Sequence, residues 1–376
     1  MTSQLTPAER LKFGLLAEGV AIDPAAQAYI DAGNGGRAMT PADYASTSGI
    51  ILALADDVWV NAPVAAHNPN FVSDPEFVLT VGDEGLRVEG RGLASEARFW
   101  LPPAYHGEVG GDGAAFNSYA FTHGDRVRAS PVEGCAMTCK FCDLPYEFRY
   151  RTKSIDGLVA AVQRALDDEI QPAKHVLLSG GTPRPADYGY LRDCYRAVIE
   201  AFPEIDVDIM MVPIDEVMDA RWLDDLGVAE LSINLEIFDR DLARSIMRRK
   251  ADQGRDHYLD SLESAARVLG PGRVRSMLMV GIEPLESTLE GVAAIAARGC
   301  VPVLSPFRPD QATPLRAMAP PSAEVLEATY LQARAIAADH GVPLGATCIP
   351  CSHNTLTLAE AGSGDASYFH GVPHTI

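Results

Sequence analysis

From about Val127 to His340 the chain alternates short apolar, β-branched runs with amphipathic helical stretches, and this alternation commits a sequence to a parallel α/β sheet. Apolar runs are expected as strands at Val127 onward, His175–Ser179, Val207–Val212, Glu230–Leu235, Val274–Val280 and Val301–Leu304. Between and after them, helical periodicity covers Ser154–Ile170, Tyr188–Phe202, Glu216–Leu226, Asp239–Leu269 with a break near Gly254, Ser287–Arg298 and Ser322–His340. These are six strand-helix units, with Pro343–Thr347 a candidate for one more strand. The unusual residues gather at the C-terminal ends of the strands, where parallel barrels keep their active sites.

Residues 1–125 do not follow the alternation. Thr6-Pro-Ala-Glu9 and Thr40-Pro-Ala-Asp43 each have the pattern of an N-cap with proline at the first helical position. Glu76–Glu89 has the pattern of a hairpin turning at Gly82–Gly85. The expected organisation is therefore an α+β segment at 1–125 flanking or capping the sheet, the α/β unit at 126–347, and a C-terminal tail at 348–376.

The 376 residues are 47% apolar and 22% charged, as in ordinary globular proteins. A net charge of −20 argues against a nucleic-acid partner, because phosphate binding needs clustered Lys and Arg. No apolar run is long enough to span a bilayer and no basic-then-apolar leader opens the chain, so a cytoplasmic location without a membrane partner is expected. Seven cysteines, an odd number in tight clusters, suit thiolate ligation in a reducing compartment better than a disulfide framework. Cys194 and Cys300 lie in apolar surroundings and read as buried small hydrophobes.

The most specific signal is Cys135, Cys139 and Cys142 in Glu-Gly-Cys-Ala-Met-Thr-Cys-Lys-Phe-Cys-Asp, residues 133–143. Thiolates are soft ligands that hold iron-sulfur clusters; three of them on a four-iron cubane leave one iron without a protein ligand. A zinc knuckle normally pairs close ligands with others nearby, and no further Cys or His follows within thirty residues. Leu178-Ser-Gly-Gly-Thr-Pro183 ends the second strand, and its glycines permit close approach of a ligand to the backbone. Ser232-Ile-Asn-Leu-Glu236 ends the fourth; a carboxylate leaving an apolar strand needs a partner.

The cysteine run, with Phe141 in the aromatic slot, resembles the Cys-x3-Cys-x-aromatic-Cys signature of the radical S-adenosylmethionine (SAM) superfamily, and the later motifs are similar to its biotin synthase, lipoyl synthase and hydrogenase-maturase branch. The resemblance covers roughly residues 127–347. It implies a partial (β/α)6 TIM-like barrel and a 4Fe-4S cluster on Cys135, Cys139 and Cys142 whose open iron is chelated by SAM. It further implies reductive cleavage of SAM to a 5'-deoxyadenosyl radical, with electrons from a flavodoxin- or ferredoxin-type donor. Cofactor contacts carried over on the same basis are Phe141, Gly180, Gly181, Thr182, Asn234, Glu236, Arg255 as a carboxylate fork, and Ile282 near adenine. Thr182 stands where the superfamily usually has Glu, which removes a carboxylate contact. Arg248, Arg249 and Lys250 are nearby alternatives for the clamp but read as a solvated helix end. Arg308 and Asp310 are candidates to face substrate.

Cys348-Ile-Pro-Cys351, with His353 close by, is a candidate second site expected near the barrel mouth. Its readings are two ligands of an auxiliary iron-sulfur cluster or of zinc, a redox disulfide, a hydrogen-atom donor, or two packed thiols. A closed site needs more ligands, for which Cys300, His353 or a substrate atom are candidates. The expected activity is hydrogen abstraction from a small organic substrate. The alternatives are peptide modification, with residues 1–125 holding the peptide, aminocarboxypropyl transfer from SAM, and a non-catalytic iron-sulfur or zinc protein.

Overall fold

The computed structural model describes residues 5–39, 49–64, 67–68, 71, 74–346, 348–358 and 375–376. The helix start expected at Thr40-Pro-Ala-Asp43 lies outside them. At Thr6 the expected cap forms: its side chain accepts from the Glu9 amide at 3.3 Å and Glu9 returns the bond to the Thr6 amide at 2.7 Å, opening α1 (Pro7–Glu18). α2 (Pro24–Gly33) starts the same way, with Asp23 capping Ala26 at 2.6 Å.

The N-terminal residues build a six-stranded sheet from β1 (Ala21–Ile22), β2 (Gly49–Leu54), β3 (Trp59–Pro63), β4 (Val78–Gly82), β5 (Gly85–Gly90) and β6 (Leu93–Phe99), in the order β1-β4-β5-β6-β2-β3. The hairpin expected at Gly82–Gly85 is the β4–β5 turn. Helix α1 lies against β3 and β6 on one side and reaches a C-terminal helix on the other, where Phe13 and Tyr330 rings stand 5.5 Å apart.

The second sheet has seven strands: β7 (Ala120–His123), β8 (Arg126–Ala129), β11 (His175–Leu178), β12 (Val207–Met210), β13 (Glu230–Ser232), β14 (Val274–Val280) and β15 (Val301–Pro306), ordered β15-β14-β13-β12-β11-β8-β7. The six strands from β8 to β15 are parallel, and β7 adds an antiparallel edge. A short ribbon of β9 (Val132–Glu133) and β10 (Arg151–Thr152) brackets the cysteine loop and its single-turn α3 (Leu144–Glu147). The crossovers run through α4 (Ile155–Leu166), α5 (Tyr188–Ala201), α6 (Ala220–Leu226), then α7 (Arg240–Ile246), α8 (Arg248–Gln253) and α9 (Arg255–Leu269), followed by α10 (Leu285–Ala296) and α11 (Ala323–Asp339). This is a partial (β/α)6 TIM-like barrel.

Helix α4 shows why the crossovers dock. Ser154 caps it at Gly157, and Leu158, Ala161, Val162 and Ala165 form its buried stripe. Each large side chain so buried contributes about 1.5–3 kcal/mol. One continuous apolar core runs from α1 and the N-terminal sheet through the barrel. The stretch expected to break at Gly254 breaks twice, at Met247 and at Gly254, which turns α8 against its neighbours.

The extra strand expected at Pro343–Thr347 does not form over the described residues 343–346; the seventh strand is β7, at the opposite edge. Pro343 lacks a donor, and Gly345 adopts φ +93°, where an added Cβ would meet Thr357 Oγ1 at 1.8 Å. Instead of a ladder, two isolated bonds cover the β15 edge, Gly345 N to Pro302 O and Leu356 N to Leu304 O, each 2.8 Å. Pro302 and Pro306 suit β15 to an edge.

Candidate active site

Cys135, Cys139 and Cys142 face one cavity of about 560 Å³ at the C-terminal ends of β8, β11, β12 and β13. The loop that carries them is wired to the Gly180–Thr182 turn. Ala136 N donates to Thr182 O at 2.9 Å, and Thr182 N donates to Cys135 Sγ at 3.2 Å. Met137 N adds a second amide to the same sulfur at 3.3 Å. Two backbone N–H groups thus converge on one sulfur. Gly181 has no substitute here: a Cβ would stand 1.6 Å from Gly134 O and 3.0 Å from Cys135 Cα.

Around Cys139 lies a small apolar cluster of Ile237, Ala243, Ile246, Met247, Ile282 and Phe307, with Met137 and Phe141 packed against it. Burial pushes the Cys139 thiol up to about 12, reinforced by the Glu236 carboxylate. Cys142 is pushed up too, by burial and then by Asp143. These thiols hold their protons until a cation displaces them, as expected of a ligand set that is charged only when loaded.

On the facing wall stand Gly180, Thr182, Asn234 and Glu236. Glu236 has φ +65°, a conformation that costs a non-glycine residue roughly 1–3 kcal/mol. Bonds on both sides hold it: Glu236 N to Met277 O and Met279 N to Glu236 O, each 2.8 Å. Its partner is Lys250, on the same cavity wall, with Nζ at 2.9 Å from Oε2 and 3.0 Å from Asn234 O. Lys250 is buried, which disfavours its charge, but Glu236 together with Tyr258 and Cys139 outweighs burial and holds its pKa above the usual lysine value. Glu236 Oε2 is itself inaccessible, and its contact is the ion pair with Lys250. The expected solvated helix end thus applies to Arg248, which is exposed, but not to Lys250, and Arg249 Nη1 donates to Ala136 O in the cysteine loop. Only the break at Met247 turns Lys250 inward, a feature its charged neighbourhood concealed.

Other candidates are not brought to this cavity. Arg255 lines an adjacent cavity of about 490 Å³, stacked at 4.1 Å on Phe238 and donating to Phe238 O at 3.0 Å, with Lys250 forming part of both linings. Glu283, three residues past the end of β14 and not a candidate from sequence, likewise stays out of the cysteine cavity, accepting at Oε2 from the Phe238 and Asp239 amides at 2.9 and 2.8 Å. Asp310 caps its own loop at Ala312 N, 2.7 Å. Arg308 is buried and turns toward the N-terminal sheet, donating to Asn61 O at 3.4 Å.

Cys348 and Cys351 lie at the other end of the barrel, not at its mouth. Helix α11 returns the chain to where strands begin, and the following turn, Pro350–Asn354, carries the pair to Asp125 before β8 and His175 at the start of β11. Cys348 Sγ and Cys351 Sγ lie 3.0 and 3.2 Å from Asp125 Oδ1, and Cys351 Sγ lies 3.3 Å from His175 Nε2. Neither expected helper takes part: Cys300 Sγ faces Leu262 O, and His353 Nδ1 is bonded to Pro350 O at 2.7 Å. Cys194 and Cys300 are buried, as expected. Asp125 and His175 were not singled out by sequence; their one signal is a polar residue at the start of an apolar strand.

Comparison with known proteins finds similarities of sequence and fold. The Radical SAM superfamily profile matches residues 129–293. Bacteriochlorophyllide c C-7(1)-hydroxylase of Chlorobaculum limnaeum is 26% identical over 162 residues, 40% of this chain and 40% of that protein, so the chain spans well under half of that relative's length in the match. Among solved structures, a radical SAM methyltransferase from Sphaerobacter thermophilus superposes with TM-score 0.47 at 16% identity over 74% of this chain and 81% of that one. The FeFe-hydrogenase maturase HydG from Carboxydothermus hydrogenoformans gives 0.46 at 14% over 57% and 52%. Members of the matched superfamily are enzymes that use a 4Fe-4S cluster and SAM. The matched residues 129–293 hold both the cysteine triplet and the strand ends that line its cavity, so it is this part of the chain that is similar to the Radical SAM superfamily.

Proposed function

We propose that the chain reductively cleaves SAM at a 4Fe-4S cluster held by Cys135, Cys139 and Cys142 and abstracts hydrogen from a small organic substrate. The observation that carries this reading is the sharing of one cavity by three cysteines, a glycine-threonine turn and an ion pair of half-buried Glu236 with buried Lys250. When bound, the cluster supplies the electron that splits SAM into methionine and a 5'-deoxyadenosyl radical.

The protein's own part is placement and exclusion of water. An α-amino acid end carries an ammonium and a carboxylate, and Glu236 and Lys250 offer one complementary charge for each. Lys250 takes the carboxylate role first expected of Arg255, since Arg255 is engaged with Phe238 in the adjacent cavity. Gly180 and Thr182 present backbone groups to the same ligand, and Ile282 with Phe307 gives the apolar shell that shields a reactive carbon from solvent hydrogen. A small-molecule substrate is supported by the net charge of −20, unsuited to nucleic acid, and by a relative whose named substrate is bacteriochlorophyllide c. The electron donor is of flavodoxin or ferredoxin type and the setting cytoplasmic; no described helix is long and apolar enough to cross a membrane. Of the described residues, those before β7 flank the barrel, β7 through α11 build it, and residues 348–358 pack at its lower end.

The test is anaerobic incubation of the reconstituted protein with SAM and dithionite, read by chromatography. Methionine and 5'-deoxyadenosine in equal amounts are expected. Methylthioadenosine in their place would mean aminocarboxypropyl transfer, and intact SAM would reject the proposal.

A further inference from the structure

Four donors from three separate parts of the chain meet at the N-terminal end of the barrel, far along the strands from the cysteine triplet: Asp125, His175, Cys348 and Cys351. Their ligand atoms all lie within 4.8 Å of one another, and all four residues are buried. A tetrahedral ion with bonds of about 2.0–2.3 Å places its ligands roughly 3.3–3.8 Å apart. Four of the separations here are 3.0, 3.2, 3.2 and 3.3 Å and the rest do not exceed 4.8 Å, so the set is already gathered close to such a shell.

A hydrogen-bonded cluster without metal accounts for this less well. Two thiols, weak donors, both converge on the single oxygen Asp125 Oδ1, which His175 Nε2 also approaches at 3.2 Å. Evenly shared, short separations among sulfur, nitrogen and oxygen are what one cation imposes on its ligands. Charge points the same way. With an ion bound, both sulfurs are thiolates and together with the carboxylate carry three negative charges in a buried site. A divalent ion brings the set to −1.

We infer that Asp125, His175, Cys348 and Cys351 form a closed, structural zinc site that seals the bottom of the barrel. Two cysteines, an imidazole and a carboxylate match the donor preference of Zn²⁺, and four protein ligands leave no position for substrate. A cubane holds its ligands on separate irons at separate corners, a wider spacing than this set offers, which removes the auxiliary-cluster reading. The ion ties the turn after α11 to the starts of β8 and β11. Lys12 of α1 extends the tie, donating from Nζ to Ser352 O and Thr357 O. The site is independent of SAM chemistry and stands or falls separately from the proposed reaction.

Elemental analysis of the full chain, purified anaerobically without a histidine tag, tests this. One zinc per chain is expected beside the cluster iron, with a zinc-edge X-ray absorption spectrum fitting two sulfurs near ~2.3 Å and two lighter atoms near ~2.0–2.1 Å. In C348S/C351S, zinc falls at least tenfold while iron at the triplet stays. Zinc retained by that variant, a zinc shell of four sulfurs, or an iron count dropping by a second cluster would overturn the inference. So would a Cys348–Cys351 disulfide in the native chain, or a metal-free wild type that takes up no added Zn²⁺. If the variant does not fold, the wild-type edge spectrum decides alone.

Discussion

The two ends of the barrel hold two cysteine constellations built to opposite plans. At the strand C-termini, three thiols face a cavity of about 560 Å³ and share it with the Glu236–Lys250 ion pair, a set that, as proposed, leaves coordination open. At the strand N-termini, two thiols, an imidazole and a carboxylate converge within 4.8 Å and complete one another. Open coordination leaves room for a reactant, and closed coordination contributes to folding. Chemistry and stability are thereby separated by the length of a strand, and the two ends should respond independently to mutation.

The largest separation is expected for Cys139→Ala, which should lower SAM cleavage at least 10³-fold and halt cluster assembly while leaving the thermal midpoint within 2–3 °C and the zinc content unchanged; roughly 4 kcal/mol of barrier is equivalent to that rate loss. A large fall in the midpoint would mean the ends are coupled. At the bottom, Arg275→Leu strands the Asp208 and Glu230 carboxylates in a buried setting and should cost about 3–5 kcal/mol in denaturant unfolding. Cluster iron per folded chain should not change. Glu236→Gln keeps the shape but leaves the Lys250 ammonium without its counter-charge. SAM affinity, measured by equilibrium dialysis, should weaken about 10–100-fold, or ~1.4–2.8 kcal/mol. The smallest effect is expected for Arg255→Ala, under about threefold on SAM affinity, because its guanidinium is spent on Phe238 in the adjacent cavity. A hundredfold loss there, with Glu236→Gln silent, would restore the arginine fork.

The six parallel strands were legible because their runs are apolar and continuous, and the open end was legible because its ligands are sequence neighbours. Cys135, Cys139 and Cys142 occupy one loop, and Gly180–Thr182 closes the adjacent strand, so local pattern and spatial site coincide. The closed end was not. Cys348 and Cys351 announce two ligands, but Asp125 and His175 lie 223 and 176 residues away from their nearest sulfur partners and enter through strand register alone. Placing the pair at the mouth failed for a topological reason: after α11 the chain is back at the strand starts, and Pro343 and Gly345 stop it from climbing as another strand. Lys250 was hidden by composition. Arg-Arg-Lys reads as a solvated helix end, and only the break at Met247 aims the lysine at Glu236.

The central claim is an iron-sulfur cubane at the triplet with one iron free for SAM. Electron paramagnetic resonance of the anaerobically reconstituted, dithionite-reduced chain tests it most directly, recorded before and after SAM is added. A reduced 4Fe-4S signal that shifts on addition of SAM, and is absent from Cys139→Ala, is the predicted result. A protein that assembles no such cluster, or one whose signal SAM leaves untouched, would contradict it.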